Sequence, residues 1–183
     1  IGLGRDEEAL VILEQIIEWD SQYLYAYIHL ANLYEQHGDH IRALSYLKTA
    51  KDIAPNPLDV LGALARVYVE YGMHRQAIES CEEALRLDPD NFVARFFRAV
   101  AKTDSGHYEE ALAELRMLEH EAPEDPRILG TQAGVLEKLG EYDEAHDIVA
   151  KYFENDHIPA NIVTVFARLC HRYNECDKAV ELL

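Results

Sequence analysis

Histidine is the residue whose chemistry most invites a site in this chain, because nine histidines are present and imidazole nitrogens bind transition metals. His37 and His40 lie three residues apart, His74 follows His40 by 34 residues, and His107 occupies a similar sequence context. Carboxylates and thiols do not join them at any spacing that closes a tetrahedral site. We therefore predict no metal and interpret these histidines as polar residues of exposed turns.

Nucleophilic chemistry lacks support as well. Cys81, Cys170 and Cys176 show no Cys-x-x-Cys spacing, so they are interpreted as small core residues in a reducing compartment. Gly-x-Ser-x-Gly, His-Glu-x-x-His and glycine-rich phosphate-binding patterns are absent from the sequence. Most carboxylates occur in adjacent pairs, such as Glu82 and Glu83, that are typical of solvated helix surfaces. We predict a chain that is not an enzyme, with no catalytic residues and no cofactor.

The charge balance limits the partners. Seventeen Lys and Arg against 34 Asp and Glu give a formal net charge of −17. Such a surface repels phosphate backbones and anionic lipids, so neither nucleic acid nor a membrane is a predicted partner. No apolar run approaches the ~20 residues that a membrane-spanning helix needs. We expect a cytoplasmic location, although a targeting signal outside this sequence could change that.

The elements that carry these residues recur along the chain. Alanine occupies two columns with a period of 34 residues, and glycine occupies a third until Asn174 replaces it. The columns are Ala9, Ala43, Ala77, Ala111, Ala145 and Ala179; Ala31, Ala65, Ala99, Ala133 and Ala167; and Gly4, Gly38, Gly72, Gly106 and Gly140. This period predicts stacked copies of one supersecondary unit, which form a solenoid without a single central core.

One copy, residues 24–57, reads as two helices joined by a tight turn. Apolar residues follow helical spacing before and after Gly38, and Pro55 prevents the second helix from continuing. Alanine at the crossing of the two helices permits their close approach, so we expect the alanine columns to be buried and Ser80 to be exposed. The pattern predicts helices over 24–37, 40–53, 58–71, 74–87, 92–105, 108–121, 126–139, 142–154 and 160–173.

The consensus positions carry a family resemblance. Tyr27, Leu30-Ala31, Tyr34, Gly38 and Ala43, with Leu47, Ala50 and Pro55, resemble the tetratricopeptide repeat. The resemblance implies an all-α fold, a right-handed α-solenoid of antiparallel helix pairs. It divides 1–183 into a single array with partial repeat 1–23, full repeats 24–57, 58–91, 92–125 and 126–159, and incomplete repeat 160–183. We expect a fragment of a longer chain, with altered packing near His157, which replaces the closing proline.

The resemblance also implies a binding groove, because the first helix of each repeat lines the concave surface in this family. Carrying the groove positions over gives a predicted peptide-binding site of His29, Asn32, Arg66, Phe96, Phe97, Arg127, Lys138, Arg168, His171 and Arg172. Phe96 is a candidate aromatic anchor, whereas Phe97 either contacts the ligand or packs against the neighbouring repeat. Of the family's carboxylate-clamp positions only Asn32 matches, so a chaperone cochaperone role is not predicted.

A cluster of Arg95, Arg98 and Lys102 allows two interpretations. Their aliphatic stems pack between repeats while the charged groups reach acids such as Glu70 or Asp104, or else the cluster binds an anion. We favour the first interpretation, because unpaired buried charge costs several kcal/mol.

Function follows from the groove. The leading hypothesis is a non-catalytic scaffold or adaptor that binds a peptide or protein segment, with an apolar residue against Phe96 and an acidic stretch toward Arg168 and Arg172. One alternative is the substrate-positioning part of a larger enzyme, since residues 134–170 loosely resemble the arrays that precede bacterial sulfotransferase domains. Another is self-association into a homo-oligomer through the uncapped end at Leu183.

Overall fold

A computed structural model of the protein describes residues 3–153 and 160–173. Over these residues the chain is all α, without a β-strand, and the predicted fold class is confirmed. The helices are α1 (Leu3–Trp19), α2 (Leu24–Gln36), α3 (His40–Ile53), α4 (Leu58–Glu70), α5 (His74–Leu87), α6 (Phe92–Asp104), α7 (Tyr108–Glu121), α8 (Pro126–Leu139), α9 (Tyr142–Phe153) and α10 (Ala160–Tyr173). The predicted boundaries agree to within one residue.

A glycine of the predicted periodic column lies at the end of α2, α4, α6 and α8. Gly38, Gly72, Gly106 and Gly140 have φ values of 74°, 67°, 82° and 84°, the left-handed region that a side chain disfavours. The residue after each glycine donates its N–H to a carbonyl five residues earlier, as Asp39 does to Tyr34 at 2.8 Å. This pairing satisfies carbonyls that the helix end leaves open. Gly4 differs, because it lies inside α1.

Helix starts depend on local side chains. The Asp39 carboxylate accepts a hydrogen bond from the Arg42 N–H at 3.1 Å, and the Asp125 carboxylate accepts one from the Arg127 N–H at 2.9 Å. Pro126 follows Asp125 at the first position of α8, where a missing N–H costs nothing. These caps fix the entry to α3 and α8.

The chain divides into two compact units, residues 1–98 and 99–183, with the boundary inside α6. In the first unit, α1 packs on α2, α2 on α3, α3 on α4 and α4 on α5. One core cluster joins Leu30, Tyr34 and Ala43 to apolar residues of α1. Another joins α4, α5 and the start of α6 through Leu61 and Cys81. The assignment of 1–183 to a single array of the stated repeats stays a prediction.

In the second unit, α8 is the central element. It packs against α7, α9 and α10, and α9 also contacts α10. Ile128, Ala133 and Leu136 of α8 are fully buried, so α8 carries apolar contacts on several sides. Gly130 and Gly134 of the same helix have no side chain, and a Cβ atom at Gly134 would lie 3.9 Å from the Val165 side chain of α10.

The alanine columns lie where the helices cross. Ala31, Ala65, Ala99 and Ala133 of the first-helix column, and Ala43, Ala77, Ala111 and Ala145 of the second-helix column, are fully buried. Ala9 is half-buried and Ala167 is exposed. The segment that would follow α10 in its own repeat lies outside the described residues, as do Asn174, Ala179 and the expectations for His157 and for self-association at Leu183.

The expected exposure of Ser80 is wrong. Ser80 is 8% exposed. It lies three residues after Ala77 and four before Ala84, so it belongs to the buried stripe of α5. A polar cleft of about 340 Å³ borders Ser80 together with residues of α3 and α4.

No helix in the described ranges is both long and apolar enough to cross a bilayer.

The packing predicts that replacing alanine by leucine lowers the stability strongly at one position of α7 and hardly at all at another. Ala111→Leu should lower the free energy of unfolding by about 1–3 kcal/mol, because the added carbons overpack a fully buried crossing. Ala113→Leu, two residues away and exposed, should change it by less than about 0.5 kcal/mol. Chemical denaturation measures both, and equal effects would contradict this helix register.

Candidate functional site

The first helices of the first unit present one accessible face. On α2 the residues Tyr27, Leu30, Ala31 and Tyr34 are buried, whereas His29 is exposed and Asn32 is half-buried. We call the accessible side of the first helix of each repeat the first-helix face, and we describe it separately for α2 and α4 of the first unit and for α8 and α10 of the second. The helical period separates it from the buried stripe, and the predicted site residues His29 and Asn32 lie on it.

Arg66 does not lie free on this face. Its guanidinium bridges α4 to α2 by donating two hydrogen bonds to Glu35, one of them at 2.8 Å between Nη2 and Oε2. A second acid, Glu70, lies 3.5 Å from Nη1. The hydrogen bond to Glu35 raises the pKa of Arg66 above its ordinary value. The Glu35 side chain is only 13% exposed, so this bidentate pair is shielded from water.

The second unit repeats this arrangement. Arg168 of α10 donates hydrogen bonds to Glu137 of α8 at 2.7–2.9 Å, and Glu137 raises the pKa of Arg168. Glu137 and Arg168 lie 102 residues after Glu35 and Arg66, so the two pairs occupy the same register. In both pairs the acid precedes the arginine by 31 residues.

Arg127 has an acid partner of its own. Its guanidinium donates to Asp125 at 2.6 and 3.1 Å. These bonds hold the pKa of Asp125 below its usual range and raise that of Arg127. Lys138, in the last turn of α8, is exposed. Three of the predicted arginine contacts are therefore neutralised within the protein.

Phe96 does not offer the open aromatic surface expected of an anchor. It is 7% exposed and meets Phe97 edge to face with ring centroids 5.4 Å apart. Phe97 packs against the core cluster of α4 and α5, so its packing interpretation describes it better.

The side chains of the remaining predicted residues are described for some positions and not for others. His171 and Arg172 belong to α10, whose backbone is described while these two side chains lie outside the description. Lys102 reaches Glu110 at 2.9 Å, which favours the acid-pairing interpretation of the basic cluster with a different acid from those expected. Arg95 donates to the Asp90 carbonyl at 3.2 Å.

His37 and His40 have different surroundings, although they are only three residues apart in the sequence. The His40 ring packs on Tyr71 with centroids 4.3 Å apart, and His37 Nδ1 lies 2.7 Å from the Leu33 carbonyl oxygen. Among the described residues, no group of three or more His, Cys, Asp or Glu side chains could hold a metal ion.

The acids that pair with the arginines are the part of the site that sequence reasoning missed. Glu35 and Glu137 were counted as groove charges without being paired to Arg66 and Arg168. The common spacing of 31 residues was the available signal, because it joins the last turn of one first helix to the middle of the next.

Comparison with known proteins settles the family. The model of the tetratricopeptide repeat matches residues 1–67 and 68–135, which is most of the chain. The chain belongs to the tetratricopeptide repeat family. Superkiller protein 3 of Schizosaccharomyces pombe is 28% identical over 74 residues, which are 40% of this chain. The chain spans 5% of the length of that curated relative.

Solved structures of tetratricopeptide repeat proteins share the fold. One from Parabacteroides merdae superposes with a TM-score of 0.83 at 20% identity, and the match covers 97% of this chain and 69% of the other. YrrB, described as a tetratricopeptide repeat protein with an unusual peptide-binding site, gives a TM-score of 0.68 at 16% identity over 95% of this chain and 86% of its own. Both likenesses concern the fold.

The shielding of the Glu35–Arg66 pair predicts a measurable coupling. A double-mutant cycle with Glu35→Gln and Arg66→Gln should give a coupling free energy of about 1–2 kcal/mol, because both charges lose water in the folded state. The matched control is the Arg75–Glu79 pair of α5, whose side chains are 89% and 59% exposed. Its coupling should stay at or below about 0.5 kcal/mol. Equal couplings in the two cycles would contradict the shielding argument.

Proposed function

We propose that this tetratricopeptide repeat chain is a non-catalytic scaffold that binds a peptide or protein segment along its first-helix face. The observation that carries the proposal is that α2 presents exposed His29 and half-buried Asn32 six and three residues before Glu35, which binds Arg66 of α4. Hydrogen-bonding groups on a regular helix face can meet the backbone of an extended segment.

Rigidity of the face supports the same proposal. Arg66 holds α4 to α2, and Arg168 holds α10 to α8. A binding surface that is already ordered loses little conformational entropy when a ligand arrives, so more of the contact energy appears as affinity. The description of YrrB as peptide-binding is consistent with this use of the fold.

We also propose that the ligand has an acidic stretch near α8. Exposed Lys138 and the 62% exposed Arg127 side chain support it, since both lie on α8. Arg168 joins such a contact only in competition with Glu137, so charge contributes to orientation more than to affinity. Cys81 and Cys170 are buried and belong to no disulfide, and we propose a reducing, cytoplasmic setting for the chain.

A peptide-display experiment tests the face. Peptides selected on the immobilised chain should bind the variant His29→Ala/Asn32→Ala about tenfold or more weakly, because both polar side chains are removed from the first-helix face. The control variant Ile41→Ala/Ser45→Ala removes two exposed side chains from α3. Its affinity should stay within about twofold of the unchanged chain.

Calorimetric titration of each selected peptide gives the affinities. Peptides that lose binding to the α3 variant instead, or that bind both variants equally, would place the ligand elsewhere. A selection that enriches no peptide would count against peptide binding by this chain.

The competition at Arg168 provides a separate test of ligand polarity. Glu137→Gln releases the guanidinium, so an acetylated and amidated hexaglutamate peptide should bind about threefold or more tightly. Glu79→Gln makes the same charge change and releases Arg75 of α5, and it should leave the affinity nearly unchanged. Equal gains in both variants would show a general charge effect, and no gain at Glu137→Gln would exclude Arg168 as an acidic-ligand contact.

A further inference from the structure

An exposed aromatic cluster lies at the turn between α1 and α2. Trp19, Tyr23 and Tyr25 are 87%, 45% and 63% exposed. The Tyr23 and Tyr25 ring centroids are 6.1 Å apart. We call these three residues the aromatic edge. Trp and Tyr are the residues most enriched at the energetic centres of protein interfaces, and three within seven positions are concentrated in one place.

The turn that carries the aromatic edge is held in place by hydrogen bonds. Gln22 donates its N–H to the Asp20 carboxylate at 2.9 Å, and Tyr23 donates its N–H to the Asp20 carbonyl at 3.1 Å. The buried Tyr27 donates its hydroxyl to the Ser21 carbonyl at 3.1 Å. The rings are therefore presented by an ordered backbone, so binding orders only side chains.

Exposure at the Tyr25 position recurs along the chain. Asp59, Val93 and Arg127 follow Tyr25 by one, two and three periods, and all three are exposed. The Trp19 position varies more, because Leu87, two periods later, is 54% exposed whereas Ile53, one period later, is half-buried. The exposure of Tyr25 therefore matches that of equivalent positions with helices before and after them.

Aromatic side chains at this turn are specific to the first repeat boundary. The turn after α3 contains Pro55, Asn56 and Pro57, and the turn after α5 contains Pro89 and Asp90. These turns need only to end a helix and start another. Nothing in that local task requires three large rings between α1 and α2.

The charge around the aromatic edge has one sign. No Lys or Arg occurs between Arg5 and Arg42, a stretch that carries eight acids. These are Asp6, Glu7, Glu8, Glu14, Glu18, Asp20, Glu35 and Asp39. Glu18 and Asp20 are exposed and flank Trp19 in sequence. Glu35 and Asp39 pair with Arg66 and Arg42, so the negative potential at the rings comes chiefly from the nearer acids Glu18 and Asp20. That potential attracts an approaching cation.

We propose that the aromatic edge is a docking surface for a cationic segment of a partner protein, one that presents arginine side chains. A guanidinium stacks on an aromatic face and pairs with a neighbouring carboxylate at the same time, which an ammonium group does less well. The same chemistry occurs inside the chain, where Arg42 lies 5.2 Å from the centre of the Tyr34 ring and 3.4 Å from Asp39. Tyr25 lies four residues before His29 on the same face of α2, so the aromatic edge borders the strip of His29 and Asn32, and Trp19 distinguishes the two surfaces because it belongs to α1.

Trp19 is the only tryptophan of the chain, so its fluorescence reports this surface directly. The probe is an acetylated and amidated peptide of alternating arginine and alanine, six residues long. Titration at low salt should change Trp19 emission in a saturable way. The lysine counterpart should bind more weakly, and hexaglutamate should produce no change. Calorimetric binding of the arginine peptide without any change in Trp19 emission would overturn the proposal.

Variants separate the rings from the overall negative charge. Trp19→Gln/Tyr25→Gln leaves the charge unchanged and should weaken calorimetric binding of the arginine peptide at least about fivefold. Leu87→Gln/Val93→Gln makes the same replacement at register-equivalent exposed positions and should stay within about twofold. Circular dichroism should show unchanged helix content in both variants, since all four side chains are exposed. Equal affinities for the two variants would show attraction by net charge alone and would overturn the proposal.

Discussion

The close approach of two helices at alanine is the contact on which the rest of the structure depends. Ala31, Ala43, Ala65 and Ala77 have no exposed surface, because each lies where one helix of a pair crosses the other. A methyl group is the largest side chain that such a crossing accepts without moving the backbones apart. These crossings set the distance between α2 and α4. At that distance Glu35 of α2 reaches Arg66 of α4 in the next repeat.

The inter-helix ion pairs explain why basic residues on a helix face do not make an anion site by themselves. In a chain with twice as many acids as bases, a half-buried guanidinium has a carboxylate within reach before any ligand arrives. Arg66 and Arg168 bind Glu35 and Glu137, and the resulting pairs are neutral. On α2 the face then offers the polar side chains of His29 and Asn32, and on α8 it offers exposed Lys138.

Sequence reasoning predicted the fold well because the repeat supplies the same signal several times. Helix ends agree to within one residue, since a glycine with positive φ ends α2 and α4 wherever the column predicts it. The burial of a single side chain was harder to predict where the residue lies at the edge of the buried stripe of a helix. Ser80 and Cys81 both lie at helical spacing from Ala77, and residue type alone suggested that the serine faces water. Phe96 was predicted as an aromatic anchor and is 7% exposed, and only its packed neighbours decide how far such a ring is buried.

The 31-residue spacing of the two ion pairs gives the repeats a direction and a fixed order. The acid always belongs to the earlier repeat and the arginine to the later one, so each pair is a joint between two particular neighbours. In register, the position of Arg66 is taken by Val100 one repeat later and by Gly134 two repeats later. A recombinant that joined repeat 24–57 directly to repeat 92–125 would set the shielded Glu35 carboxylate opposite a valine. Glu35 and Arg66 would therefore have to be moved together if the segments that carry them were transferred to another protein.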